Sequence, residues 1–262
     1  MYQILKRIQV NIPFTMLYET YLPLIIQYGI NPEIGLDAIA LDRFSIPDYE
    51  HVARKIHKQG LSITLHGPFM DLCPGSPDPK IRELTLYRFQ QVFQLIPIFL
   101  PRSVVCHTCY DNKRYGFLKE PWLQYSMAFW SWFAGNIRKE GAVLMLENVY
   151  EHDPHEFLEL FGGLIDQGVG FCLDVGHQAV FSRVSLASWL EILGEHITQL
   201  HLHDNQGIQD EHLSLGEGKI DFQMLFKYLK DKRMQPPVIT LEPHREEDLW
   251  PSLKYLESIW PW

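Results

Sequence analysis

Histidines and carboxylates recur at the ends of apolar stretches along this sequence. LHGPF carries His66, VCHTC His107, LENV Glu147, LDVGH Asp174 and His177, LHLHDN His201 and His203, and LEPH Glu242 and His244. A further Asp210-Glu-His212 follows in DNQGIQDEH. Imidazole and carboxylate together are the ligand set of zinc, manganese, cobalt and similar divalent ions. A lone histidine at the end of a strand is more often a hydrogen-bonded structural group than a ligand. The carboxylates weigh more, because Glu147, Asp174 and Glu242 close the apolar stretches LMLE, FCLD and ITLE. Burying an unpaired carboxylate costs several kcal/mol unless a cation or a metal ion answers it. No Lys or Arg lies inside those stretches, so converging carboxylates here imply metal.

What must position these groups is an alternation of short β-rich runs with longer amphipathic ones, the pattern of βαβ units around a parallel sheet. The spacing predicts strands over Arg7–Phe14, Glu33–Ala40, Leu61–His66, Ser103–His107, Ala142–Asn148, Gly168–Asp174, Ile197–His203 and Val238–Glu242. It predicts helices over Tyr18–Tyr28, Pro47–Gln59, Asp78–Phe99, Glu120–Glu140, His155–Asp166, Ser185–His196, Asp221–Arg233 and Glu246–Trp260. Eight such pairs make an α/β fold, a (β/α)8 TIM barrel, with residues 1–262 as a single domain. Helices open at Ile46-Pro47-Asp48, Ser185 and Asp221 and close at Gly29, Gly60, Gly141 and Gly168, the expected asymmetry of start and stop signals. Pro23 is tolerated only near a helix start, which makes the first repeat the weakest. In such a barrel the site is built at the C-terminal ends of the strands, where all the residues named above stand. Alternation puts His201 and His203 on one face, His201 deeper and His203 nearer the rim against substrate, and it puts Cys172 inward with Asp174.

Composition narrows the class. Lys and Arg number 23 against 32 Asp and Glu, a net charge of −9, with 46% hydrophobic residues. That is a globular chain, and its acidity argues against a general nucleic-acid binder, whose affinity for phosphate is built from clustered Lys and Arg. No stretch reaches the roughly 18 apolar residues of a membrane helix, and MYQILKRIQVNIPF lacks a signal peptide's apolar region, so the expected location is cytoplasmic. Four cysteines are too few for a disulfide framework. The Cys106–Cys109 CxxC lacks a second pair and straddles His107, so redox or zinc chemistry there is disfavoured.

The strand-end motifs from His66 to Glu242 resemble the xylose isomerase-like barrel superfamily, which joins sugar isomerases and epimerases with endonuclease IV. The resemblance implies up to three metal positions. His66, His107 and Glu147 would hold one; Glu147, Asp174, His201 and Glu242 a second; His177, Asp210 and His212 a third. The cofactor is then one to three zinc, manganese or cobalt ions per chain. The epimerase branch uses the second set alone, with Glu147 and Glu242 as acid and base in proton transfer through an enediolate. HGPFMDLCPG, HTCYDNKRYG and HLHDNQGIQDEHLSLGEG look more like the sugar phosphate isomerase/epimerase group than the repair enzymes. Two departures stand out: the loop Asp204–His212 has no Lys or Arg to grip DNA, and the epimerases' substrate-holding Arg after the strand-seven His is missing. The function expected is therefore a metal-dependent sugar or sugar-phosphate isomerase or epimerase. The alternatives are an endonuclease IV-like abasic-site phosphodiesterase and a metal-binding barrel without catalysis.

His203, His244 and Lys219 are expected to contact substrate. Lys113, Arg114, Arg183 and Arg245 are further candidates for a substrate anion, and Gly216-Glu-Gly218-Lys219 makes only a weak phosphate cradle. In the aromatic helix, Trp122, Tyr125, Phe129 and Phe133 follow helical spacing and should face the barrel. Trp130 and Trp132 lie off that stripe and mark a homo-oligomer contact or a substrate lid.

Overall fold

The structure is a computed structural model that describes residues 3–232 and 236–262. Its parallel strands are β1 (Gln9–Pro13), β2 (Asn31–Gly35), β3 (Thr64–His66), β4 (Ser103–His107), β5 (Val143–Glu147), β6 (Gly170–Asp174), β7 (Ile197–Leu202) and β8 (Val238–Leu241). They pair in chain order, and β1 closes on β8 through Gln9↔Thr240 and Val10↔Leu241. The protein is a (β/α)8 TIM barrel. Among the described residues no helix is long and apolar enough to cross a membrane.

The expected boundaries hold in most repeats, and the departures have local causes. The second strand was expected over Glu33–Ala40, but it starts at Asn31 and ends at Gly35. Asp37 takes over there as an N-cap, accepting from the Ala40 N–H at 2.7 Å, and Ala38–Arg43 turns helical. In the first repeat Pro23 sits in the first turn of the helix Leu22–Tyr28, where its missing N–H costs nothing, after a π-helical turn over Leu17–Tyr21. The helix expected over Asp221–Arg233 is described from Phe222 to Lys232, and Arg233 lies outside the described residues. Gly29, Gly60, Gly141 and Gly168 all take positive φ.

In the helix Lys119–Lys139 the buried stripe is Trp122, Ser126, Trp130, Phe133, Ala134 and Ile137. This corrects the expectation for Trp130, which is fully buried, and for Tyr125, which is exposed under the Arg82 guanidinium at 3.9 Å. Steps of four from Trp122 reach Trp130 and miss Tyr125. Trp132 is half-buried against the core. The main apolar core lies between strands and helices, whereas the barrel interior holds a small separate apolar cluster of Val105, Met145 and Cys172. Beside that cluster the interior is polar: Ser103 donates to Gln199 at 2.7 Å, and Gln199 and Thr240 both donate to Glu33.

Candidate metal centre

Because β3, β4 and β5 are adjacent and end together, His66, His107 and Glu147 meet at one side of the mouth, with His107 and Glu147 in direct register. Glu147 Oε2 lies 3.2 Å from His66 Nε2 and 3.4 Å from His107 Nε2. Its other oxygen, Oε1, lies 3.2 Å from His177 Nδ1 and 3.4 Å from His201 Nδ1. The residue is buried. Burial alone would push the carboxyl up, but the surrounding imidazoles, His201 and His107 foremost, hold it well below the ordinary carboxylate range. Glu147 is thus a hub between two groups.

The second group is formed by β6, β7 and β8. Asp174 caps the helix Val175–Phe181 by accepting the His177 N–H at 2.6 Å through Oδ1. Its Oδ2 makes no hydrogen bond and lies 3.9 Å from His201 Nδ1. Glu242 Oε1 approaches the same nitrogen at 3.1 Å. Burial opposes ionisation of Glu242, and the charge of His201 overrides it and keeps the carboxyl low. Glu147, Asp174, His201 and Glu242 therefore face one point.

The third group depends on the loop after β7. Asp210 Oδ2 lies 3.4 Å from both His177 Nε2 and His212 Nε2, and its Oδ1 lies 3.6 Å from His203 Nε2. The loop is held by a carboxylate: buried Asp204 accepts the backbone N–H groups of Asn205, Gly216 and Gly218 at 2.9 Å and Ile220 at 3.2 Å. The Gly216–Lys219 turn is accordingly a cradle for the chain's own anion. Gly218 is needed there, since a Cβ would stand 2.2 Å from Asp204 Oδ1.

The nine residues expected as ligands come together: His66, His107, Glu147, Asp174, His177, His201, Asp210, His212 and Glu242 all fall in groups whose ligand atoms lie within 4.8 Å of one another. His203, expected near the rim, is buried with Nε2 3.2 Å from Asp174 Oδ1, and it belongs to the Asp210 group. A Cβ at Gly176 would stand 1.9 Å from its ring. His203 stacks on His212 at 3.6 Å, and His212 stacks on exposed His244 at 3.6 Å. Lys219 is exposed, and its backbone N–H donates to the Asn205 carbonyl. Sequence reasoning missed Glu33, fully buried with Oε1 2.9 Å from His201 Nε2. The signal was available in NPEIG, an acid inside a buried run, but starting the strand at Glu33 hid it at the barrel's far end.

The donor set fits divalent metal. Buried Asp174 Oδ2, Asp210 Oδ1 and both ring nitrogens of His201 and His203 lack aligned hydrogen-bond partners among the described residues, although His201 Nε2 stands 2.9 Å from Glu33 Oε1 as an ion-pair contact. Such atoms are rarely left unpaired in a buried site. His66, His177 and His212 each set Nδ1 against a backbone carbonyl, of Gly67, Asn148 and Glu242, at 2.9–3.1 Å. Those oxygens only accept, so a neutral ring at each position would keep its proton on Nδ1 and turn the Nε2 lone pair toward an ion, the usual arrangement of a metal-binding imidazole.

A family model of the xylose isomerase-like TIM barrel matches residues 32–259. The chain belongs to that family. Two proteins of Methanocaldococcus jannaschii, the uncharacterized MJ1311 and MJ1614, are 27% identical over 185 residues and 30% identical over 173. Each match covers 65% of this chain, and 61% and 66% of those proteins, so the chain spans less than two thirds of either. TTHB071 of Thermus thermophilus, soaked with zinc chloride, superposes with a TM-score of 0.80 at 24% identity over 97% of this chain and 98% of its own. A D-tagatose 3-epimerase-like protein gives 0.80 at 22%, over 97% and 96%. The IolI protein with a bound zinc atom gives 0.72 at 16%, over 97% and 94%. At these identities the likenesses establish the barrel. Within the xylose isomerase-like family, the chemistry rests on the groups described above.

Proposed function

We propose that this member of the xylose isomerase-like family is a divalent-metal-dependent isomerase or epimerase of a sugar or sugar derivative. The observation that carries the reading is the approach of Glu147 and Glu242 to one imidazole nitrogen, His201 Nδ1, at 3.4 and 3.1 Å. Two ionised carboxylates then flank one position. Glu147, Asp174, His201 and Glu242 would hold the ion, which when bound supplies Lewis-acid stabilisation of the charge that develops on a substrate oxygen. One glutamate removes the proton from the carbon next to the carbonyl, and the other returns a proton. Which carbon is reprotonated decides between isomerisation and epimerisation. The acidic loop Asp204–His212, without Lys or Arg, suits a small neutral polyhydroxyl substrate rather than a polyanion. Ketoses incubated in heavy water with manganese- or zinc-loaded protein should take up deuterium, and Glu242→Gln should stop it. Failure of a broad ketose panel, with metal fully bound, would end this reading.

A second reading is favoured by a specific feature: the His66–His107–Glu147 and His177–His203–Asp210–His212 groups offer two more ion positions than an epimerase needs. A multinuclear zinc phosphodiesterase would use them. It predicts three zincs per chain by elemental analysis and nicking of duplex DNA at abasic sites.

A further inference from the structure

The metal centre proposed above rests on imidazoles whose second nitrogen is anchored, and His201 is anchored differently from His66, His177 and His212. Those three use a backbone carbonyl against Nδ1. His201 is reversed: Nδ1 faces Glu147, Asp174 and Glu242, and Nε2 faces the Glu33 carboxylate at 2.9 Å from across the barrel. Glu33 lies within reach of His201 and Glu242 as part of a possible ligand group, but its carboxylate is already engaged by neutral donors. Its Oε2 accepts from Thr64 Oγ1 at 2.9 Å, Gln199 Nε2 at 2.7 Å and Thr240 Oγ1 at 3.0 Å. Its Oε1 accepts from Asn11 Nδ2 at 3.2 Å. Oε2 is thus fully engaged, and Oε1, with Asn11 on one side, keeps its other lone pair toward His201 Nε2.

We infer that Glu33 is a positioning residue for the metal centre, which holds the proton on His201 Nε2 and so presents the Nδ1 lone pair to the ion. A carboxylate behind a metal-bound imidazole fixes its tautomer and raises its basicity. The ring is held from a strand on the opposite wall, which ties the site to the barrel interior instead of to a loop. The sequence supports the same division of labour: Asn11, Thr64, Gln199 and Thr240 come from four different strands, and among the described residues the one partner common to all four is Glu33.

The test is zinc affinity, measured by competition with a chromophoric chelator, on wild type, Glu33→Gln and His201→Gln. The zinc lost in His201→Gln identifies the relevant ion, and Glu33→Gln should weaken that same ion by about 10–100-fold while far-UV circular dichroism stays unchanged. In nitrogen-15 spectra of the zinc-loaded wild type, the His201 Nε2–H should appear far downfield, as for a proton on a carboxylate, and Glu33→Gln should move it upfield. A merely structural role for Glu33 would leave that signature where it is. Zinc held as tightly by folded Glu33→Gln as by wild type overturns the inference. If Glu33→Gln does not fold, the wild-type resonance decides: an Nε2–H at the position of an imidazole facing neutral acceptors overturns it. A wild type that binds no zinc fails the metal reading itself, and this inference with it.

Discussion

Glu33 and Asp204 are buried as deeply as Glu147 and Asp174, yet the two pairs are answered by different donors. Around Asp204 stand four backbone N–H groups, and around Glu33 a set of hydroxyls and amides from strands around the barrel. These donors are neutral and fixed by the fold, and beyond them Glu33 faces a single imidazole, His201, at 2.9 Å. Around Glu147 stand four imidazoles, and Asp174 keeps an oxygen with no hydrogen bond at all. Burial of an acid therefore does not by itself mark a site. What marks it is a set of partners that can change protonation or be replaced by an ion. All four acids are buried without Lys or Arg, but around Glu33 and Asp204 the fold itself supplies hydrogen-bond donors to the charge.

The largest expected effect separates the hub from everything else. Glu147→Ala removes a carboxylate whose Oε2 faces the His66–His107 group and whose Oε1 faces the Asp174–His201 group, so at least two of the ion positions should be lost. Its fall in affinity should exceed the roughly 10–100-fold of an outer partner. Elemental analysis of purified protein reads this directly, with His203→Ala losing less. Equal losses would mean that Glu147 is one ligand among several.

How much of this was legible beforehand follows the same divide. The barrel was readable because strand-length runs and helix caps repeat with regular spacing, and the gathering of the nine expected residues was readable because strand ends and the loops after them meet at one mouth in this fold. Glu33 was not, because misplacing β2 by a few residues moved it from mid-strand to the strand start. The cap at Asp37 that ends β2 early lies in GLDAIALDR, whose apolar residues suit strand and helix alike. Trp130 was misread because a stripe drawn through Tyr125 and Phe129 competes with one through Trp122 and Ser126, and only packing on the barrel chooses between them. The role of Asp204 could not be seen at all, since its partners are backbone N–H groups up to sixteen residues away.

Next in size is a reversal with pH. In the metal-free protein, burial works against protonation of His177 and His201, but Asp174 beside the first and Glu242 beside the second hold both well above the ordinary imidazole range. A raised folded value contributes stability below the unfolded value of about 6.5, and that stability is lost as pH rises through the folded value. Glu147 and Glu242 are lowered, so their contribution is present above about 4.3 and lost as pH falls. Metal-free protein should melt highest between about pH 5 and 6.5 and lose Tm on the alkaline side. Zinc-loaded protein should gain Tm over that same alkaline interval, because its imidazoles must be neutral to bind. Parallel curves would show that these imidazoles do not face an ion.

A smaller and more local change is expected from Asp204→Asn. Leaving buried backbone donors unpaired costs about 1–3 kcal/mol. The loss should appear as a lower Tm and faster amide exchange at Gly216 and Gly218. Metal should be lost from the Asp210–His212 group while the ions around Glu147 stay. Loss of every ion together would make Asp204 part of the centre rather than the anchor of one loop.

The smallest effect belongs to His244. It is the exposed outer layer of the stack, with ring centroids 3.6 Å from His212, and such a ring pair is worth about 0.5–1.5 kcal/mol even when well buried. His212 does not depend on it for orientation, because its Nδ1 is already set 3.1 Å from the Glu242 carbonyl and its Nε2 faces Asp210. His244→Ala should therefore leave metal content and Tm nearly unchanged. If the rim ring meets substrate, the variant should raise KM for whichever substrate is turned over and leave kcat alone. Metal loss on removing so exposed a ring would place the edge of the centre one layer further out than the buried carboxylates define it.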